Sequence, residues 1–159
     1  MIDSEDEEDD EWGVTMSAGC CLQKVALLIK NDVMGLVFPF VSENVHKPDW
    51  KMRYSALIAL GAIIEGPDKM KFKEVLVPGL ENLLKMFQDT SSKVRESISW
   101  VVSKICEHHA DVVTQSPEAT AYFTGILTES LKDKPRVSNV CCSAIEKLSE
   151  SLQPLDQLE

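Results

Sequence analysis

Residues 5 to 12 read EDEEDDEW, which is seven consecutive carboxylates followed by a tryptophan. A run of acids attracts a cationic partner over roughly 8 to 10 Å at physiological salt, but it specifies little about that partner. The neighbouring indole can hold one lysine or arginine at short range. The pattern predicts a binding site for a basic protein segment, against the alternative of a plain acidic tail. Its members are Asp3, Glu5, Asp6, Glu7, Glu8, Asp9, Asp10, Glu11 and Trp12.

A second tryptophan, Trp100, stands among acids at helical spacing. Glu96 precedes it by four residues and Glu107 follows it by seven, so the three share one face of a helix. The stem of an arginine or lysine can lie on the indole, a contact worth about 0.5 to 2 kcal/mol, while its charge meets a carboxylate. We therefore predict a partner-binding role for Trp100. The alternative is that neighbouring helices cover the ring and that the glutamates form a solvated face.

Apolar residues recur at helical spacing along almost the whole chain, and runs of β-branched residues bounded by turns are missing. Proline, glycine, aspartate and serine mark the breaks between the apolar segments. We expect an all-α fold of seven helices joined by short turns. The predicted helices span residues 13–30, 32–46, 49–65, 68–87, 91–109, 117–132 and 135–151.

Three of these helices repeat one pattern. The segment MRYSALIALGAIIE (52–65) matches VRESISWVVSKICE (94–107) at a shift of 42, and a further shift of 43 reaches VSNVCCSAIEKLSE (137–150). The shared apolar positions fall within one arc of about 100°, which predicts a buried stripe on each helix. This period is typical of HEAT and armadillo arrays, in which stacked helix pairs form a solenoid. The stripe residues are Met52, Ala56, Ala59, Leu60 and Ile63; Val94, Ile98, Val101, Val102 and Ile105; and Val137, Cys141, Ala144, Ile145 and Leu148.

The face that carries Trp100 also holds acids in the other repeats. Glu65, Glu107 and Glu150 occupy one position in three successive repeats, which predicts a ladder of carboxylates. In the first helix, Lys30 is expected at that place. The third repeat adds Asn139 and Glu146 as polar candidates on the same face.

The overall charge points to a protein partner. The formal net charge is −10, and without the eight N-terminal acids it is about −2. An acidic chain disfavours nucleic acid, whose phosphates need lysine and arginine. No stretch approaches the roughly 18 to 20 apolar residues of a membrane span, and the acidic N-terminus is unlike a secretory leader.

No motif for catalysis is present. The chain lacks a glycine-rich phosphate loop, a nucleophile motif and a metal-ligand spacing, so we expect no enzyme activity, no cofactor and no metal. The five cysteines follow no CxxC spacing, which favours reduced thiols over zinc ligands or disulfides. His108 and His109 close a helix, and the matching Arg53 and Arg95 favour a structural ladder between repeats over a ligand site.

Four segments in order resemble the middle of the importin-β (karyopherin-β) family of nuclear transport receptors. They are EDEEDDEW opening a helix, KPDWKMRYSALIALGAIIEGP, SISWVVSKICE and KPRVSNVC, and the resemblance covers essentially the whole chain. It implies a HEAT-repeat α-solenoid, a right-handed superhelix of antiparallel helix pairs with about three and a half repeats. The implied segments are an acidic loop (1–12), the second helix of a truncated repeat (13–30), three repeats (31–66, 67–110 and 111–152) and a tail (153–159).

The same resemblance implies the partners. The concave acidic surface would bind the basic importin-β-binding segment of importin-α, or basic cargo, and Trp100 would stack on the basic side chains. The small GTPase Ran in its GTP form would govern release, nucleoporins would bind the full-length parent, and the protein would shuttle between cytoplasm and nucleus through the nuclear pore. Members of the family usually carry another tryptophan near the position of Ser143, so a stacking site there is not expected.

Three further hypotheses follow from the sequence. A rival function is a general HEAT-repeat scaffold without a transport role, such as a phosphatase-type regulatory subunit. A metal-dependent enzyme built on the cysteine and histidine positions is a third class. The chain also resembles an excised piece of a longer protein, so self-association through exposed apolar ends is expected.

Overall fold

The computed structural model describes the backbone of residues 9–152 and the side chains of residues 13–152, and every regular element within these bounds is helical. None of the described helices is long and apolar enough to cross a membrane. The helices are α1 (Asp9–Ile29), α2 (Asp32–Asn44), α3 (Trp50–Ile63), α4 (Lys69–Lys85), a 3-10 turn (Met86–Gln88), α5 (Ser92–His108), α6 (Ala110–Val113), α7 (Pro117–Ser130) and α8 (Pro135–Leu152).

The seven predicted helices are all present, with ends within about two residues of the expected ones except at the start of α1. That helix begins at Asp9, four residues before the predicted start, so the end of the acid run is helical. The short helix α6 and the 3-10 turn after α4 were not predicted.

Side-chain caps set the beginning of two helices. The Asp49 carboxylate accepts a hydrogen bond from the backbone N–H of Lys51 at the start of α3 (2.9 Å). The Ser116 hydroxyl accepts one from the N–H of Ala119 (3.1 Å), and Pro117 opens α7. Both caps satisfy amide groups that have no partner inside the helix, as is usual at helix N-termini. Helices α3 and α7 therefore begin directly after residues whose side chains cap them.

The chain divides into two compact units between Asp68 and Lys69. In the first unit α3 packs against both α1 and α2. The α1–α3 contact is close, because a Cβ atom at Gly19 would lie only 2.7 Å from Cγ2 of Ile58. Helix α3 is consequently buried on two sides, and its buried residues include Tyr54, Ile58 and Gly61.

In the second unit α5 packs mainly against α8, and α8 also packs against α7. The ammonium group of Lys134 donates to the Ser92 hydroxyl (3.3 Å), and two helical turns later the Cys141 thiol donates to the Ser99 hydroxyl (3.4 Å). Both pairs are separated by 42 residues, so α5 and α8 run in the same direction. Their contact register therefore matches the sequence repeat to within one residue.

The predicted stripe is confirmed in the second unit and partly wrong in the first. All five stripe residues of α5 are buried, and on α8 only Ile145 is half-buried. On α3, however, Met52 is exposed to 46% and Ala59 is half-buried. The reason is that α3 contacts two helices, so its buried arc is wider than one stripe and is rotated away from Met52.

Candidate partner-binding surface

Trp100 lies near the middle of α5 and is half-buried. Ser99, the residue before it, is fully buried against α8, while Glu96, one turn earlier, is half-buried. The Trp100 residue is therefore partly covered by protein and partly in contact with solvent. A half-buried indole of this kind can still accept a cation on its open part.

Helix α8 extends the same surface. Asn139, Glu146 and Glu150 are exposed, and Ser143 is half-buried. Because α5 and α8 are parallel and in register, equivalent positions on the two helices point to the same side. We name the group formed by Glu96, Trp100, Glu107, Asn139, Glu146 and Glu150 the α5–α8 surface.

Two glutamates of this surface already have cations beside them. The Glu107 carboxylate pairs with the ammonium group of Lys104 at 3.2 Å and lies 3.7 Å from Nε2 of His108. The Glu150 carboxylate pairs with Lys147 at 3.5 Å. Partial burial raises the pKa of Glu107, but the hydrogen bond and charge of Lys104, with the charges of His108 and Lys147, outweigh it and lower that pKa. Glu107 is thus held in its ionised form.

The remaining sequence-predicted residues lie elsewhere. Glu65 is exposed at the end of the first unit, and its carboxylate accepts a hydrogen bond from the Gln23 amide at 3.4 Å. Gln23, rather than Lys30, therefore takes the neighbouring place on α1, again at a separation of 42 residues. Asp3 and Glu5 to Glu8 lie outside the described residues, and the side chains of Asp9 to Trp12 lie outside them too.

Arg95 links α5 to the loop before α8, in line with the predicted ladder between repeats, whereas Arg53 bonds to backbone carbonyls just before its own helix. The Arg53 guanidinium donates to the carbonyls of Lys47 and Pro48 (2.8 and 2.7 Å). The Arg95 guanidinium binds the Asp133 carboxylate through two hydrogen bonds (2.6 and 3.0 Å) and joins α5 to the loop before α8. Neither arginine is available for a ligand in this arrangement.

The cysteine and histidine positions do not converge. Cys20, Cys21 and Cys142 are exposed, whereas Cys106 and Cys141 are buried. Burial raises the pKa of the Cys106 thiol to about 12. His109 is buried and stacks on Phe72 with ring centres 5.0 Å apart. Within residues 13–152, no group of three histidine, cysteine or acidic side chains is placed to hold a metal ion.

Comparisons with known proteins identify the family. A profile described as HEAT repeat matches residues 80–109, which contain α5. Importin subunit beta-1 of Saccharomyces cerevisiae is 34% identical over 152 residues, which cover 94% of this chain and 17% of the relative. The chain belongs to the importin-β family. It is an all-α HEAT-repeat solenoid, and the resemblance that the sequence indicated is confirmed.

Two solved structures of Kap95p, the yeast importin-β, extend this importin-β match to three dimensions. One describes how Kap95p binding induces the switch loops of RanGDP to adopt the GTP-bound conformation; it has a TM-score of 0.83 and 32% identity, and covers 95% of this chain and 18% of Kap95p. The other is a Kap95:Nup1 complex with a TM-score of 0.83 and 32% identity, covering 91% and 17%. The chain thus spans about a sixth of the length of the importin-β relatives it matches.

Sequence reasoning missed two residues on the α5–α8 surface, Lys104 and Lys147. Each lysine stands three residues before a predicted partner-binding glutamate, Glu107 or Glu150, and this spacing places both side chains on the same helix face. That spacing was a sufficient signal for the pairs within each helix. The influence of Lys147 on Glu107 was not readable from spacing, because it requires the register between α5 and α8.

Proposed function

We propose that this chain forms part of a nuclear import receptor that shuttles between cytoplasm and nucleus. In this proposal the α5–α8 surface binds a lysine- and arginine-rich segment of an importin-α adaptor or of a basic cargo. The acid run and Trp12 add long-range attraction and a second stacking contact, and Glu65 contributes a further carboxylate. The chain acts by binding and carries out no catalysis.

The observation that carries the proposal is the similarity to importin-β over 91 to 95% of the chain, in sequence and in structure. The charge distribution supports it, because Glu96 stands one turn before a partly open indole on α5 and Glu146 is exposed on the parallel helix α8. Since Kap95p has been solved with RanGDP and with Nup1, we extend the proposal to Ran and to nucleoporins as partners. Ran in its GTP form would then control release of the basic segment.

The test is titration of the chain with a lysine- and arginine-rich peptide, followed by fluorescence anisotropy at low and at physiological salt. Trp100→Ala should weaken binding by about 0.5 to 2 kcal/mol, because it removes the stacking partner of the cation. Glu96→Gln should weaken binding and reduce its salt dependence, because one carboxylate is lost.

The matched control is Glu81→Gln, which neutralises an exposed glutamate of α4 that pairs with Lys85 outside the surface. It should leave peptide affinity unchanged, and circular dichroism should show that all variants remain helical. Affinity that is insensitive to both Trp100→Ala and salt would contradict the proposed function.

A further inference from the structure

The α5–α8 surface combines uncompensated and compensated glutamates. The ammonium groups of Lys104 and Lys147 each pair with the carboxylate of the glutamate three residues later in the same helix. The N–O distances are 3.2 Å to Glu107 and 3.5 Å to Glu150. In contrast, neither Glu96 nor Glu146 has an ion-pair partner among the residues that the structure describes. The negative charge of Glu107 and Glu150 is therefore largely balanced by lysines, whereas the charge of Glu96 beside Trp100 is not.

The two lysines act together across the helix pair. Lys147 belongs to α8, yet its charge is one of those that lower the pKa of Glu107 on α5. Because α5 and α8 run parallel with a register of 42 residues, the Lys104–Glu107 and Lys147–Glu150 pairs lie at the same level of the two helices, and together they form one mixed cluster. Both lysine side chains are partly covered, at 24% and 36% exposure, which limits the solvent that screens them.

A cationic partner meets this cluster about 10 Å from Trp100, since Glu107 lies seven residues further along α5 at 1.5 Å per residue. A first cation can bind at Trp100 and Glu96 without displacing anything. A second cation at Glu107 or Glu150 must replace a lysine ammonium group that is already there. Arginine suits this exchange, because its planar guanidinium can make two parallel hydrogen bonds to a carboxylate whereas the ammonium group of lysine acts as a point charge.

We infer that Lys104 and Lys147 determine which cation the Glu107 and Glu150 end of the α5–α8 surface accepts. They occupy both carboxylates, and a second arginine about 10 Å from the one at Trp100 displaces them. Segments with a single cation bind only at the Trp100 end and are repelled by the two lysines. This inference rests on the proposed function and adds to it the class of segment that is accepted.

The experiment compares Lys147→Gln with the wild-type chain, using one peptide with a single arginine and one with two arginines at the stated spacing. Glutamine keeps most of the side-chain stem but removes the charge, so repulsion of the single-arginine peptide disappears. Its affinity should rise about two- to fivefold, the range expected for one partly exposed charge pair. The two-arginine peptide should gain more, because its second arginine no longer has to displace the ammonium group from Glu150, and the ratio of the two affinities should widen. Lys104→Gln should change both affinities in the same direction.

The control is Lys132→Gln, which makes the same change in net charge at a lysine of the same spacing. Lys132 pairs with Glu129 at 2.9 Å beside α7, outside the surface, so neither peptide should bind differently. If Lys147→Gln leaves the single-arginine affinity unchanged or lowers it while Trp100→Ala still weakens binding, the selectivity inference is wrong and the proposed function stands. If neither peptide binds the wild-type chain, both are wrong.

Discussion

At the scale of single residues, charge on the α5–α8 surface depends on neighbours within one helical turn. Trp100 shares its face with Glu96 and Glu107, but Lys104 stands four residues after it on the same side. The lysine pairs with Glu107 instead of adding a free positive charge beside the ring. Binding of a cation at Trp100 is therefore compatible with a lysine close by.

Arg95 is a charged side chain of the second unit that bonds to several groups at once. Besides its two hydrogen bonds to Asp133, it donates to the carbonyls of Asp89 (2.8 Å) and Thr90 (3.2 Å). The side chains of Arg95 and Asp133 are only 17% and 18% exposed. A charge pair with so little solvent contact is costly to break on one side, because the other charge stays buried without compensation.

We expect Arg95→Ala to lower the free energy of unfolding by about 2 to 4 kcal/mol, somewhat less than for a fully buried pair. Urea denaturation followed by circular dichroism measures the change. Lys132→Ala is the control, because its pair with Glu129 is about 74% exposed and such pairs contribute about 0 to 1 kcal/mol. Equal effects of the two substitutions would contradict the structural role of Arg95.

The same pair predicts a pH dependence. The hydrogen bond from Arg95 lowers the pKa of Asp133, against a smaller opposing effect of burial. Its contribution to stability is therefore present above the ordinary aspartate pKa of about 4 and is lost as the pH falls through the lowered pKa. Arg95→Ala should lose less stability than the wild type over that acidic range, and identical pH profiles would show that the pair contributes little.

At the scale of elements, the packing of the first unit depends on a glycine. A Cβ atom at Gly66 would lie 2.5 Å from the carbonyl oxygen of Ala26 in α1 and 2.7 Å from its carbonyl carbon. Backbone atoms cannot move aside as a flexible side chain can. The chain after α3 therefore approaches α1 more closely than any residue with a side chain allows.

We expect Gly66→Ala to lower the free energy of unfolding by about 1 to 3 kcal/mol, the usual cost of overpacking. Gly125→Ala is the matched control, because no atom lies within 4 Å of a Cβ at that position inside α7. It should raise stability by about 0.5 to 1 kcal/mol through helix propensity. Thermal unfolding of both variants measures these changes, and a Gly66→Ala protein as stable as the wild type would show that the approach relaxes freely.

At the scale of the whole molecule, most of the net charge of −10 comes from the eight acids of the N-terminal run. These residues have no described side chains, and their predicted role depends on long-range attraction alone. Such a field changes the rate of encounter much more than the lifetime of a complex. The role of the run can therefore be separated from that of Trp100 by kinetics.

We expect replacement of the eight acids by asparagine and glutamine to slow association with a basic peptide about tenfold or more at low salt. Dissociation should stay nearly unchanged, because the contacts at the α5–α8 surface remain. Stopped-flow fluorescence measures both rates. At high salt the two chains should associate equally fast, and an unchanged rate at low salt would favour the plain acidic tail.

Sequence alone was sufficient for the helices and for the repeat. The spacing of apolar residues predicted seven helices with nearly correct ends, and the shift of 42 residues reappears as the contact register of α5 with α8. The helices could be predicted because helix formation and helix capping are local. The repeat could be predicted because stacked repeats impose the same pattern on each copy. The motifs that indicated importin-β likewise depend only on residue order.

Tertiary structure alone decided which faces are covered and which charges meet. Met52 fits an apolar stripe by spacing, but it is exposed because α3 lies between two helices and is buried on another arc. The charge of Lys147 acts on Glu107 because two helices 40 residues apart in sequence run side by side. Periodicity reports one buried face per helix, whereas coverage and ion pairing depend on neighbours that are distant in the chain.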